Sequence, residues 1–444
     1  MASDSALFPR NFDRAYPQAV SGQGCYLFTA DGKKYLDAAG QAAVVSIGHG
    51  VEKVAQGMAD QAARLAFAHS SQLHHQPAER LAQRLLALAP QGMRHGGRVY
   101  FTSGGSEATE TAIKLARQFF LERDQPERFR VASRRQSYHG STLGAMAVSG
   151  NAARRASYGP LLPDWGHIAP CFPYHCALNC NEQCNLACAD ELEGLFSGAN
   201  AGSYAAFIFE PVSGATLGAA APPDGYAQRI FEICRRHDVL LIADEVMTGM
   251  GRTGEVFAVD HWAIEPDIIT MGKGVASGYA PLGAVVAGPR VVEAIAKGTR
   301  AFQHGFTYQN HPVAMAAGNA VLDVLEEQQL FARVAPAGRE FFAALESLKQ
   351  HPHLGDIRGL GLLAAVEFVK DKATREPFPR EANVAGRIFA AAAEHGVLTY
   401  PIQGCVDGVR GDHLLLAPPF IIKAEESRAV AEAIAAAAES VLQP

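Results

Sequence analysis

The chain has 444 residues, 48% of them hydrophobic and 19% charged, with a formal net charge of −6 at pH 7. That is more chain than one core usually holds, so one large and one smaller soluble domain are expected. Both signs of charge are spread along the sequence, which argues against a nucleic-acid-binding surface and against a basic membrane patch.

The first twenty residues, MASDSALFPRNFDRAYPQAV, lack a basic start followed by a long apolar core and do not read as a signal peptide. No apolar run is long enough to span a bilayer. The most apolar long segment, 429–442, contains Glu432 and Glu439 and fits an amphipathic helix. A cytoplasmic location is therefore expected. Residues 25–37 alternate apolar and polar around Asp31-Gly32, which predicts a hairpin.

From about Val51 short apolar strands alternate with helical stretches. Strands are predicted over 98–102, 205–209, 239–243 and 267–271, and helices over 108–123 and 227–237. The strands are apolar on both faces, the pattern of a mostly parallel sheet covered by helices. After about Val321 the texture changes: a helix over 333–350, a glycine-bearing strand region over 357–368, another helix over 385–395 and last strands. The expected fold is α/β. Residues 51–320 form the large domain; the N-terminal segment 1–50 and the C-terminal part 321–444 form a smaller α+β domain.

Five of the eight cysteines crowd together as Cys171, Cys176, Cys180, Cys184 and Cys188. Thiolates bind zinc well, but no CxxC pair occurs and the last four sit four apart. Reduced cytosolic thiols are the favoured reading over a metal site or a disulfide, and no metal is assigned.

Three apolar runs each lead into a charge: 205–209 into Glu210, 239–243 into Asp244, and 267–271 through Gly272 into Lys273. Ligands of open α/β sheets bind beyond the carboxyl ends of strands, so the three charges are expected near one crevice. Any one of them alone would read as a surface ion pair; three together favour a site. Lys273 lies between Gly272 and Gly274 with little steric cover and suits a Schiff base with a carbonyl compound. If that compound is pyridoxal 5'-phosphate, Asp244 supplies the carboxylate that keeps its ring nitrogen protonated. The stretch 101–117 offers a phosphate cradle: a strand end, the turn Ser103-Gly-Gly-Ser106, and a helix starting near Glu107. The plainer alternative is a capped helix with Ser106 as N-cap. The turn is not GxGxxG, which lowers a nicotinamide reading.

These residues belong to a longer set of motifs. Ser106-Glu-Ala108, Tyr138-His-Gly140, Glu210-Pro-Val212, Asp244-Glu-Val-Met-Thr-Gly-Met-Gly-Arg-Thr-Gly254, Met271-Gly-Lys-Gly274, Gly278-Tyr-Ala-Pro-Leu-Gly283, Gly305-Phe-Thr-Tyr-Gln-Asn-His-Pro312 and Gly359-Leu-Gly361 span nearly the whole chain. Their order and spacing resemble those of the class III aminotransferases, pyridoxal-phosphate enzymes of fold type I. The resemblance implies that Lys273 holds the cofactor and shuttles a proton, and that Asp244 pairs with the pyridine nitrogen. It implies that Val246 and Tyr138 cover the two ring faces and that Gly105 and Ser106 hold the phosphate. Glu210 is counted with the cofactor-binding residues and is offered as a carboxylate that an arginine neutralises. Thr307, with the backbone at Phe306, is expected to reach the phosphate from the neighbouring subunit, making the active form a homodimer or a dimer of dimers. Without the resemblance, Tyr138 would read as a core aromatic and Thr307 as a strand-edge hydroxyl. His139 is given no proton-transfer role.

The implied reaction moves an amino group from a small-molecule amine or ω-amino acid donor to an oxo acid acceptor such as pyruvate or 2-oxoglutarate. The alternative is an aminomutase, epimerase or decarboxylating relative. Arg410, in the segment 407–419, is the candidate for gripping a substrate carboxylate, with a solvated loop arginine as the equal alternative. Met247 stands where many members carry glutamine, so the hydrogen bond to the cofactor hydroxyl is missing or supplied otherwise; 40–45 has no aromatic, which points to a roomier pocket or to one closed by other residues.

Overall fold

The computed structural model describes residues 6–178, 180 and 184–442. Its centre is a seven-stranded sheet. In spatial order the strands are Arg98–Thr102, Gly283–Ala287, Ile268–Met271, Leu240–Asp244, Tyr204–Phe209, Arg130–Arg134 and His167–Ile168. The last five run parallel; Gly283–Ala287 is antiparallel to both its neighbours. The sheet is thus mostly parallel, as the apolar strands predicted. Every residue of Tyr204–Phe209, Leu240–Asp244, Ile268–Met271 and Gly283–Ala287 is buried.

Strand side chains alternate between faces, and the alternation divides the core in two. Phe207, Phe209, Leu241, Ala243, Ile269 and Met271 pack with the helix Tyr226–Arg236 on one side. Ala206, Ile208, Leu240, Ile242 and Ile268 pack with the helix Gly105–Leu121 on the other, through Ala108, Ala112, Leu115 and Phe119.

The N-terminal hairpin is present, with strands Tyr26–Thr29 and Lys34–Asp37 joined through Gly32 at φ 81°. Lys34–Asp37 pairs in parallel with Val397–Leu398, Leu36 opposite Val397. A third sheet, Leu354–Leu360, Leu363–Phe368, Asp412–Leu416 and Tyr400–Gln403, is antiparallel throughout. The helix Ala424–Val441 covers this part, burying Val430, Ile434, Ala437 and Ala438 at helical spacing. The helix Pro312–Glu327 runs across residue 320 and packs on Glu52–Arg64 and Gln76–Leu88, so it carries the chain from the large sheet toward the smaller ones.

Arg252 knits these regions together. It is fully buried, and its guanidinium donates to the carbonyls of Leu362 (3.1 Å), Pro418 (2.6 Å) and Val45 (3.3 Å). Burial pulls its pKa down to about 9. Among the described residues no helix is long and apolar enough to cross a membrane. All eight cysteines are free thiols, and no group of three or more His, Cys, Asp or Glu among the described residues is arranged to hold a metal ion.

Candidate active site

The carboxyl ends of Tyr204–Phe209, Leu240–Asp244 and Ile268–Met271 open into one cavity of about 200 Å³. Its lining includes Gly105, Ser106, Tyr138, Glu210, Asp244, Val246 and Lys273. The three charges expected from the strand ends therefore do share a crevice.

Lys273 follows Ile268–Met271 with φ 41°, a left-handed conformation that costs a non-glycine residue roughly 1–3 kcal/mol. Its ammonium has no hydrogen bond or ion pair among the described residues. Burial lowers its pKa; Asp244 and Glu210 act the other way, and Arg154 adds to the lowering. An amine held this way is poised to lose its proton and act as a nucleophile.

Asp244 ends its strand with 4% of its surface exposed. Oδ1 accepts from the Val246 N–H at 3.1 Å and the Thr270 hydroxyl at 3.3 Å, and Oδ2 from His139 Nδ1 at 2.6 Å. The adjacent Glu245 does not line the cavity; it accepts from the Thr248 hydroxyl and the Val259 N–H. Burial pushes its carboxyl up to about 7.

Glu210 is also buried. Its carboxylate accepts from the N–H groups of Tyr138 (3.1 Å) and Gly214 (2.8 Å). Burial raises its pKa. The arginine beside it is Arg134, which donates to the Glu210 backbone carbonyl and whose charge favours the ionised carboxylate, while two main-chain N–H groups hold the side chain.

The phosphate-cradle stretch folds as a strand, a turn and a helix. The helix starts at Gly105, with Gly104 as N-cap in place of Ser106, and the Ser103 N–H donates to Glu107 Oε2 at 2.8 Å. The first N–H groups of a helix have no acceptor within it, and here Gly105 and Ser106 turn that end toward the cavity. Ser106 Oγ accepts from the Ser141 N–H at 3.0 Å. A Cβ at Gly105 would stand 2.7 Å from Val246 Cγ1, so only glycine lets this helix start against Val246. Tyr138 donates to or accepts from Ser141 Oγ at 2.9 Å.

Two candidates lie elsewhere. Thr307 is exposed and does not line this cavity. Arg410 sits on the loop between Tyr400–Gln403 and Asp412–Leu416 with its side chain 54% exposed, and its Nε donates to Asp407 at 2.8 Å. The lining also holds Met247, which stands in the place of a glutamine, and His139, which from sequence would only orient the loop, together with Val212, Ala215 and Thr248, to which sequence assigns no role. The adjacency of His139 to the predicted ring-stacking Tyr138 was the available signal for His139. Val212 and Ala215 also join the apolar cluster containing Ala43, which brings the 40–45 segment close to this wall.

Comparison with known proteins gives a consistent picture. The family model described as aminotransferase class-III matches residues 8–438. An uncharacterised aminotransferase of Schizosaccharomyces pombe is 37% identical over 432 residues, covering 96% of this chain and 94% of that protein. An omega-aminotransferase of Caulobacter vibrioides is 33% identical, covering 96% and 94%. The crystal structure of a thermostable (S)-enantioselective omega-transaminase from Thermomicrobium roseum superposes with a TM-score of 0.90 at 35% identity, over 99% of this chain and 97% of that one.

Proposed function

This chain belongs to the class-III aminotransferase family and is an aminotransferase, and from that premise we propose that it moves an amino group from an ω-amino acid or amine to an oxo acid such as pyruvate or 2-oxoglutarate. The similarity to an omega-aminotransferase and to an omega-transaminase supports this choice of donor. The observation that carries it is Lys273: a half-buried lysine whose amine is unpaired among the described residues and held in a strained backbone conformation, sharing its cavity with a fixed carboxylate.

The family works with pyridoxal 5'-phosphate, and the residues present fit that group. A helix start stripped of side-chain bulk at Gly105 faces the cavity, and Asp244 lines the same cavity with three donors already fixing its orientation. We assign Gly105 and Ser106 to the phosphate, Asp244 to the ring nitrogen, Tyr138 and Val246 to the ring faces, and Lys273 to the aldehyde carbon. Glu210 completes the wall on the Tyr138 side. Thr307, exposed and outside the lining of its own cavity, is assigned to the phosphate in a neighbouring subunit, which makes the working unit a homodimer or a dimer of dimers.

When bound, the cofactor supplies an aldehyde that takes up and returns an amino group, and a ring that withdraws electrons from the substrate carbon. The protein does the rest. Lys273 Nζ, its pKa depressed by burial, would take the proton from the donor carbon and pass it to the carbon that was the aldehyde, leaving the amino group behind, and would carry a proton the opposite way onto the acceptor carbon. Asp244 keeps its charge in place because Val246, Thr270 and His139 hold both oxygens. Tyr138 and Val246 keep water off the faces they cover, and Met247 makes the nearby wall apolar against Gly214. The eight free thiols support a cytoplasmic location.

The test is spectroscopic. The cofactor-loaded protein, given an amine and then an oxo acid in turn, should alternate between aldehyde-form and amine-form absorbance. Absence of that alternation across a panel of donors and acceptors sinks the reading. Borohydride should label position 273, and Lys273→Ala should lose the label together with roughly 10²- to 10⁴-fold of the rate.

A further inference from the structure

The five cysteines between 171 and 188 take no part in lining the cavity, and the fold sorts them into two kinds. Cys171 and Cys188 are 3% and 4% exposed and belong to the apolar core. Cys25, Cys234 and Cys405 are buried as well. Cys176 and Cys180 are partly exposed, and Cys184 is exposed. A dissolved oxidant therefore reaches only these last three without opening the core.

The chain is anchored on both sides of these thiols. Just before them, the Tyr174 carbonyl accepts from Arg375 Nη1 at 2.7 Å, and His175 Nε2 lies 2.6 Å from Oε1 of the buried Glu367. Just after them, Asn185 Oδ1 accepts from the Ala187 N–H at 3.1 Å, where the helix Ala187–Ser197 begins. Between the anchors Cys176 and Cys180 meet. Cys176 Sγ accepts from the Cys180 N–H at 3.4 Å, and Cys180 Sγ donates to Asn185 Oδ1 at 3.2 Å. A disulfide joins residues whose Cα atoms stand about 4.4–6.8 Å apart. An N–H of one residue resting on the sulfur of the other places this pair close enough for side-chain rotation to close a bridge while both anchors stay in place. The Cys176 sulfur, hydrogen-bonded to it, holds the Cys180 thiol above its ordinary pKa, so Cys180 is the later of the two to react.

We infer that Cys176 and Cys180 form a reversible redox-modification site, closing a disulfide in exchange with a low-molecular-weight disulfide such as oxidised glutathione. Cys176 gives up its proton and attacks one glutathione sulfur; the glutathione S–S bond breaks, and the departing thiolate takes up a proton. Cys180 then attacks the Cys176 sulfur of the mixed disulfide and expels the second glutathione in the same way. Two protein thiols are oxidised, one glutathione disulfide is reduced to two thiols, and a dithiol reductant reverses the exchange. Bridges of this kind in a reducing compartment are transient and redox-sensing, which agrees with the free thiols of the reduced protein. The site stands apart from the amino-transfer assignment, and either can fail without the other.

The experiment treats the folded, cofactor-loaded full chain with oxidised glutathione, blocks the remaining thiols with N-ethylmaleimide, and digests with chymotrypsin without reductant. Cleavage after Tyr174, Leu178 and Leu186 puts Cys176 on the fragment 175–178 and Cys180 on the fragment 179–186. Mass spectrometry should find these two fragments joined in wild type and in Cys184→Ser, and separated by dithiothreitol. In Cys180→Ser they should come apart, with glutathione retained on Cys176. Fragments that separate in oxidised wild type overturn the inference. So does a joint that disappears in Cys184→Ser, which would make Cys184 the partner, or a bridge found between Cys171 and Cys188 in its place.

Discussion

His139 Nδ1 lies 2.6 Å from Asp244 Oδ2, both side chains are almost wholly buried, and 105 residues separate them in the chain. The imidazole nitrogen donates, fixing the oxygen that the Val246 and Thr270 donors leave free. Among the described residues nothing bonds the other ring nitrogen, so Asp244 is the ring's only side-chain partner there.

Removing that bond should loosen the carboxylate without emptying the cavity. His139→Ala is expected to weaken pyridoxal phosphate binding roughly ten- to a hundredfold, the worth of a hydrogen bond to a charged group. Absorbance titration of the apoprotein measures it, and wild-type affinity in the variant would refute a positioning role.

The contact between Gly105 and Val246 can be tested as a pair. Gly105→Ala places a methyl 2.7 Å from Val246 Cγ1, so the helix start must shift away from the cavity. Cofactor affinity should fall, by about tenfold or more. Val246→Ala alone should weaken it less, and the double variant should bind better than Gly105→Ala. Strict additivity in that cycle would mean that the two positions do not press on each other.

Glu245 carries a pH dependence whose sign can be worked out. Its folded pKa is raised from 4.5 to about 7 by burial. Between those values the folded protein holds a proton that the unfolded chain has released, so stability falls as pH rises through this window. Below it the penalty is absent; above it the penalty is complete, on the order of a few kcal/mol. Glu245→Gln keeps both hydrogen-bond partners and removes the titration. Its Tm should decline less than that of wild type between about pH 5 and pH 8, and parallel profiles would contradict the assignment.

Arg252→Met should be costly although the residue touches no part of the cavity lining. Three buried carbonyls, from Val45, Leu362 and Pro418, lose their donor together. Each unsatisfied group costs ~1–3 kcal/mol, and a thermal or urea melt should show a loss of at least ~3 kcal/mol in total. A near-neutral variant would mean that water replaces the guanidinium.

Much of the cavity's lining was legible because it lies at strand ends. Apolar runs that stop in Glu210, Asp244 and Gly272-Lys273 announce both a parallel sheet and a crevice, and the motif resemblance supplied roles for them. Other parts were not legible for physical reasons. Gly283–Ala287 inserts antiparallel between Arg98–Thr102 and Ile268–Met271, and no periodicity within a strand reveals its neighbours. The pairing of His139 with Asp244 depends on how loops from separate strands converge. The buried role of Arg252 was hidden because a charged residue reads as exposed until its carbonyl partners are known. The left-handed run Gln41, Ala42 and Ala43, with φ 50°, 67° and 60°, gives no sequence signal, since none of the three is glycine.

The parallel ladder between Leu36 and Val397 has a bearing on biosynthesis. A ribosome delivers the amino-terminal hairpin hundreds of residues before its companion strand emerges. Throughout translation the outer edge of Lys34–Asp37 is bare, and the small sheet is sealed only after nearly all of the polypeptide has been made. The large sheet meanwhile has every strand it needs once Gly283–Ala287 is out. Maturation should therefore proceed in two acts, with the nascent hairpin as the stretch most in need of chaperone cover during the interval.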